Sequence, residues 1–464
     1  MQEFENFRLE KFAIKPDKAL PEFTDSFAFD QRLFEADIRV SIAYCATLFD
    51  AGVLTRNEAE RIKNGLQAIL KRSEYDKNYF NNPMVENVHS FVEAKLIQLI
   101  GDAGRKLQIG SSQNDQTATA FRLWLREEIE KISIRARALQ AAFINAAERQ
   151  REAILPGYAH LQRAKPILWA HWCLAYFEML ARDRERLDEV WRRVNVLPFG
   201  SADAAGANFE IDREELAGNL GFEGVSLNSL DAVSDRDFTV EFVSASALLM
   251  VHLSRLAEDL ILYASKEFQF VELGGADATI SNLSTQKKHI NRLELVRGKA
   301  GRIFGRQISL LTTIKGLPMA YNKDLQEGNE AVFDTVDTVK SCLQATTNVL
   351  EGLRVREEKT LAAATEGYFN TSELADYLVQ KDVPVQLTDQ TVQSILSYAV
   401  SKGKQLHELS LAEMQNFSAQ IENDIYHVLS LEQTLASKSQ IGGTAPERVY
   451  EALEEARISL EMEE

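Results

Sequence analysis

Proline is scarce in this sequence: there are nine in 464 residues, with none between Pro198 and Pro318, between Pro318 and Pro384, or between Pro384 and Pro446. From Val225 to Leu273 there is neither glycine nor proline. Such breaker-free windows, rich in Ala, Leu, Glu and Arg, predict long helices and little sheet. Cysteine is almost absent as well. Cys45, Cys173 and Cys342 are far apart, odd in number and set in apolar helical patterns. They exclude a disulfide framework and a C-x-x-C metal spacing, and point to a reducing cytoplasm. Basic charge is in deficit, 52 Lys and Arg against 69 Asp and Glu, for a net charge of -17. That balance argues against a nucleic-acid or acidic-membrane partner, although a site can still be locally basic. No run of about 18 apolar residues exists, so nothing is expected to span a membrane. The N-terminal MQEFENFRLEKF lacks the apolar h-region of a signal peptide. Metal-ligand spacings, a P-loop, a dinucleotide fingerprint and a G-x-S-x-G elbow are all missing.

What is present is a soluble-type composition, 45% hydrophobic and 26% charged, over a length that suggests two or three domains and a large core. A helix opens at Phe29–Leu33, runs toward Leu48 and stops at Asp50-Ala51-Gly52. Thr55 with Glu58 three residues on reads as a capping box. Val88, Val92, Leu96 and Ile97 share a helical face. Polar breaks fall at Gln108–Gln116, Pro156–His160 and Pro198–Asn208. The stretch from Asp235 to about Lys266 is apolar on nearly every side, which predicts a buried helix roughly 45 Å long, natural for a bundle shared between subunits. Thr279–Glu294, TISNLSTQKKHINRLE, reads as a polar loop entering a helix, and Tyr321–Gln326 follows a further break at Gly316-Leu317-Pro318. From about Thr365 the composition suggests a small C-terminal helical domain, with a turn at Gly442–Pro446 before the last helix. His89, His171 and His252 read as structural histidines.

The polar breaks carry Asn114, His160, Ser281, Lys287 and Tyr321. If they converge, they offer a hydroxyl base, an imidazole acid or base, and cations with amide donors for carboxylates. That set suits proton abstraction next to a carboxylate followed by loss of a leaving group, with the extra charge stabilised on the carboxylate.

Several blocks resemble the fumarase/aspartase superfamily, and in detail the argininosuccinate lyase family with its crystallin relatives. They are PGYAHLQRAKP at Pro156, NSLDAVSDRDF at Asn228, HLSRLAEDLILYASKEFQFVEL at His252, QKKHINRLELVRGKAGRIFG at Gln286, GLPMAYNKDLQE at Gly316, SELADYLV at Ser372 and GGTAPERV at Gly442. The resemblance runs from about Phe23 to the C-terminus. It implies an all-α, three-domain fold (residues 1–111, 112–361 and 362–464) whose long central helices form the core of a homotetramer with shared active sites. The implied reaction is reversible elimination of argininosuccinate to arginine and fumarate in the cytoplasm, with no metal or cofactor. By the same resemblance Ser281 takes the Cβ proton, Lys287 binds the carboxylate, and His160, oriented by Glu294, serves the departing nitrogen. Ser26, Asn114, Gln113, Arg236, Tyr321 and Gln326 match substrate-contacting positions.

The sequence also departs from the family. The loop G-R-S-R-N-D-Q reads Gly110-Ser111-Ser112-Gln113-Asn114-Asp115-Gln116, so both arginines are gone. Ala159 replaces a threonine, Asn329 a lysine, and Ile280, Asn282, Ser284, Thr285 and His289 alter the signature loop. Losing one charge-assisted hydrogen bond to a carboxylate costs on the order of 1.5–3 kcal/mol. Gln113 keeps a donor but no charge. Three readings are compatible with this pattern: an argininosuccinate lyase with a divergent pocket, a lyase for another N-substituted aspartate, or a non-catalytic crystallin-like homologue. Substitutions that fall on binding contacts while the acid/base set persists favour altered specificity.

Overall fold

A computed structural model of the chain describes residues 23–81, 85–274 and 282–462, with the backbone alone at 282–289. Of the described residues 70% are helical, as the missing breakers predict. Its helices are α1 (Phe27–Asp30), α2 (Phe34–Asp50), α3 (Arg56–Tyr75), α4 (Val88–Ile100), α5 (Gln113–Arg149), α6 (Trp169–Val194), α7 (Arg213–Leu220), α8 (Ser229–Ser234), α9 (Asp237–Ala264), α10 (Asn282–Ile314) and α11 (Leu325–Glu351). Seven C-terminal helices follow: α12 (Glu357–Thr365), α13 (Thr371–Gln380), α14 (Val385–Lys402), α15 (Leu411–Gln415), α16 (Ile425–Val428), α17 (Leu431–Ala436) and α18 (Pro446–Glu461).

The helix ends follow local chemistry. Thr55 and Glu58 form the expected capping box at the start of α3. Gly52, at φ 72°, supplies the left-handed residue just after α2. Asn228 caps α8, and Pro446 opens α18 at a position where its missing N–H costs nothing. Helix α9 is 28 residues long, about 42 Å at 1.5 Å per residue. By length and composition it could cross a membrane, but 56% of its most apolar window is buried within the protein, as in a core helix. Most of Thr279–Glu294 is not a loop: from Asn282 onward it forms the first turns of α10, while Thr279, Ile280 and Ser281 lie outside the described residues.

The chain divides into two compact units. The first comprises residues 1–132, 186–246 and 303–337, the second residues 133–185, 247–302 and 338–464. In the first, Phe121, Trp124, Phe238 and Phe333 cluster, with Trp124 edge-on to Phe333 at 4.8 Å. Asp115, fully buried, ties the start of α5 to the following polar loop. Its carboxylate accepts from the backbone N–H groups of Ser112, Gly200 and Ala202 at 3.0, 3.0 and 2.9 Å.

In the second unit the break at Pro156–His160 is a β-hairpin, β1 (Ile154–Ala159) with β2 (Gln162–Leu168), paired antiparallel. Its prolines and glycine read as breakers, yet Pro156 faces Pro166 and the register shifts between Pro156 and Tyr158, so Gly157 sits at an irregularity. Tyr158, Tyr263, Phe268 and Phe270 form a cluster of tilted and edge-on rings. Trp169 is fully buried and anchors α6 by donating to the Ala146 carbonyl at 3.1 Å. The His252 ring meets the buried Asp183 at 2.7 Å, a structural pairing. The C-terminal helices close their own core around Leu374, Leu378, Ile395, Ile421 and Ile425. Two further two-stranded pairs complete the described sheet. A Cβ on Gly157 would stand 2.5 Å from the Lys165 carbonyl oxygen. Gly157→Ala is therefore expected to cost about 2 kcal/mol in urea unfolding; an unchanged midpoint would show that the hairpin yields freely.

Candidate active site

Within the first unit, α1, the N-termini of α4, α5 and α9, and the segment leading into α11 converge on one polar cavity. Its walls include Ser26, Gln113, Arg236, Tyr321 and Gln326, five of the expected site residues. Asp30, Asn87, Thr117, Lys323 and Asn329 complete the polar lining. Gln113 and Thr117, four residues apart, share the face that α5 turns to the cavity. Tyr321 is presented by a loop that Asn322 braces, its amide donating to the Pro318 and Ala320 carbonyls at 2.9 and 3.2 Å. The cavity is narrow, about 30 Å³, which is room for a water or one carboxylate group rather than a whole substrate.

Arg236 dominates its electrostatics. The residue is 7% exposed, and its guanidinium makes one hydrogen bond among the described residues, from Nη1 to the Asp235 carbonyl at 2.6 Å. Its Nε has no partner. Burial, and then the neighbouring Arg122, push its pKa down to about 10, so it stays a cation at neutral pH. The adjacent Asp235 carboxylate acts on it only through space, because that group pairs directly with Arg122 and accepts from the Asp237 N–H. A buried cation without a counter-ion is costly unless an anion arrives. Around it the Tyr321 hydroxyl and the Asn329 and Gln113 amides make no hydrogen bond among the described residues. These donors suit a carboxylate.

The opposite wall is acidic. Ser26 donates to Asp30 at 2.6 Å, and the Val88 N–H donates to the same carboxylate at 3.2 Å. Burial raises the Asp30 pKa to about 6 despite those donors. Lys323, on the rim, pairs with Glu86. Behind the wall, burial opposes a charge on His89, but Asp37, 3.2 Å away, outweighs it and the His89 pKa rises.

A lyase family model matches residues 10–305, well over half of the sequence. The chain belongs to the lyase family. That places it in the fumarase/aspartase superfamily, and a second model, the argininosuccinate lyase C-terminal domain, matches residues 368–436 of this lyase. Solved structures share the fold. A doubly substituted EDDS lyase variant with bound fumarate is 24% identical, at a TM-score of 0.81 over 93% of this chain and 87% of that one. Fumarate lyase from Mesorhizobium sp. BNC1 is 19% identical, TM-score 0.74, over 92% and 98%. The 3-carboxy-cis,cis-muconate lactonizing enzyme from Pseudomonas putida is 18% identical, TM-score 0.75, over 95% and 99%.

Three of the remaining expected residues, Asn114, His160 and Glu294, do not line this cavity. Asn114 is next to Gln113 but is not part of the lining; its N–H donates to the Ser112 hydroxyl at 3.2 Å. That hydroxyl in turn donates to Asp203, so Ser112 is committed away from the cavity. His160 lies in the second unit at the hairpin tip, exposed, with φ 54° followed by Leu161 at 57°. Glu294 is exposed on α10 of the same unit, and no hydrogen bond joins it to His160. Ser281 lies outside the described residues. Lys287 belongs to the first turns of α10, and its side chain is not described. Among the described residues no cluster of His, Cys, Asp and Glu could hold a metal ion.

Asp30, Asn87, Thr117 and Lys323 escaped the sequence reading. Thr117 was detectable from its helical spacing to Gln113. Asp30 sits in a stretch read only as a helix start, and nothing local marks Asn87 as more than a cap. The raised Asp30 pKa has a measurable consequence. The folded protein holds this proton more tightly than the unfolded chain does. The stability Asp30 adds is therefore full below about pH 4 and is lost as the pH rises through about 6. Asp30→Asn should flatten that part of the stability profile, read as unfolding midpoints between about pH 4 and pH 7; an identical slope in both proteins would refute the assignment.

Proposed function

We propose that this lyase eliminates fumarate from an N-substituted aspartate. The observation that carries the reading is Arg236, a buried guanidinium without a carboxylate partner, facing a cavity of unspent donors. In this reading the cavity grips a substrate carboxylate, and its small size leaves the reacting carbon outside. Ser281 takes the proton from Cβ. Lys287 steadies the charge as it spreads onto the adjacent carboxylate, and His160 serves the departing nitrogen. Further copies of the chain in a homotetramer would share these groups among their sites.

Argininosuccinate, giving arginine and fumarate, is the first substrate to test, supported by the match of residues 368–436 to the argininosuccinate lyase C-terminal model. A second reading, another N-substituted aspartate, is favoured by Gln113 and Asn329. Both line the cavity as neutral amides, where the resemblance calls for cations. Neutral amides grip a carboxylate more weakly and leave room for a differently charged leaving group. The likeness to an EDDS lyase fold is compatible with this second reading.

The test is fumarate release, followed by its ultraviolet absorbance, with argininosuccinate and a panel of N-substituted aspartates. Release from at least one substrate is expected. Ser281→Ala should abolish it, and Arg236→Gln should lower kcat/KM about 100-fold, the worth of a buried charge-assisted contact. Efficient turnover of argininosuccinate would decide for the first reading over the second. No fumarate from any substrate, in protein that is folded, would refute both.

A further inference from the structure

A second and larger cavity, about 550 Å³, opens on the first unit where α2, α3 and α7 meet. No residue of the candidate active site lines it. Its α2 wall is built from Arg39, Ile42, Ala46 and Phe49, spaced by three and four residues and so on one helical face. Leu220, from α7, extends the apolar floor. Cys45 lies beneath, 2% exposed, its thiol directed to the Ala59 carbonyl at 3.5 Å. The volume is that of a small-molecule pocket, and so is the mixture of an apolar floor with a few polar groups.

The rim decides the ligand's charge. Arg56, Glu60 and Lys63 line the α3 side at spacings of four and three. Arg39 is already paired with Glu127. The Arg56 and Lys63 side chains are exposed and make no hydrogen bond or ion pair with any described side chain; on the same wall they flank a single acid, Glu60, so the α3 rim is net positive. A dicarboxylate such as fumarate has only two hydrocarbon carbons, too few to cover the floor. A neutral apolar molecule leaves the cations without a partner.

We propose that this cavity binds a small amphipathic carboxylate, its hydrocarbon body on Ile42, Ala46, Phe49 and Leu220 and its carboxylate at the rim against the Arg56 or Lys63 cation. Affinity comes mainly from the buried hydrocarbon, about fourfold per buried methylene. The exposed cations add selectivity, since exposed ion pairs are weak. Calorimetric titration of the full chain with octanoate tests this, with octanol and succinate as comparisons. Octanoate should bind saturably and more tightly than octanol, and succinate should not bind in this cavity. The double variant Arg56→Gln/Lys63→Gln, altered only at exposed positions, should weaken octanoate about tenfold. Ala46→Trp, which fills the mouth, should remove binding while the helical circular dichroism is retained. Arg236→Gln should leave octanoate binding unchanged, which separates this cavity from the candidate active site. No saturable octanoate binding, equal affinity for octanol, or no effect of the double variant would overturn the proposal.

Discussion

A guanidinium held out of water without a counter-ion is the constraint around which the first unit is arranged. Arg236 is next in sequence to an acid, yet that carboxylate is drawn off to Arg122 and to the N-terminus of α9. Asp115 is consumed by the backbone of the Gly200–Ala202 turn, and Asp30 by Ser26 and the Val88 N–H. Each acid has a partner that is not Arg236. Leaving a buried cation bare costs several kcal/mol that the remaining core must offset. A site that waits for an anion gives that cost a use, because the same charge then binds a carboxylate more strongly than it would in water.

This arrangement fits the chemistry of a lyase. Eliminating fumarate means handling carboxylates before, during and after bond breaking, so fixed donors that need no reorganisation are the appropriate machinery. The narrow cavity supplies such donors for one carboxylate. Its neutral amides, Gln113 and Asn329, line that cavity, while the acid and base of the proposed mechanism are carried on separate segments of the chain.

Much of this was legible in the sequence, for identifiable reasons. Helix limits at Gly52, Thr55 and Pro446 follow from rules that act within a few residues, and each appears where such rules put it. The absence of breakers from Val225 to Leu273 correctly marked the buried helix α9. The hairpin at Ile154–Leu168 was not legible, because its prolines and glycine signal a break whether the chain then turns loosely or pairs with itself. Likewise the polar run after Asn282 looked like a loop although its spacing permits a helix. In the cavity, Arg236, Tyr321 and Gln326 were found through family blocks. Asp30 and Asn87 were not, since their roles depend on contacts far from their own segments.

The carboxylate-receptor role of Arg236 is tested most directly by a crystal structure of the protein soaked with fumarate. A fumarate carboxylate within hydrogen-bond distance of the Arg236 Nε, in contact with Tyr321 or Asn329, is the expected result. Fumarate ordered elsewhere on the protein, with Arg236 still bare, would contradict it.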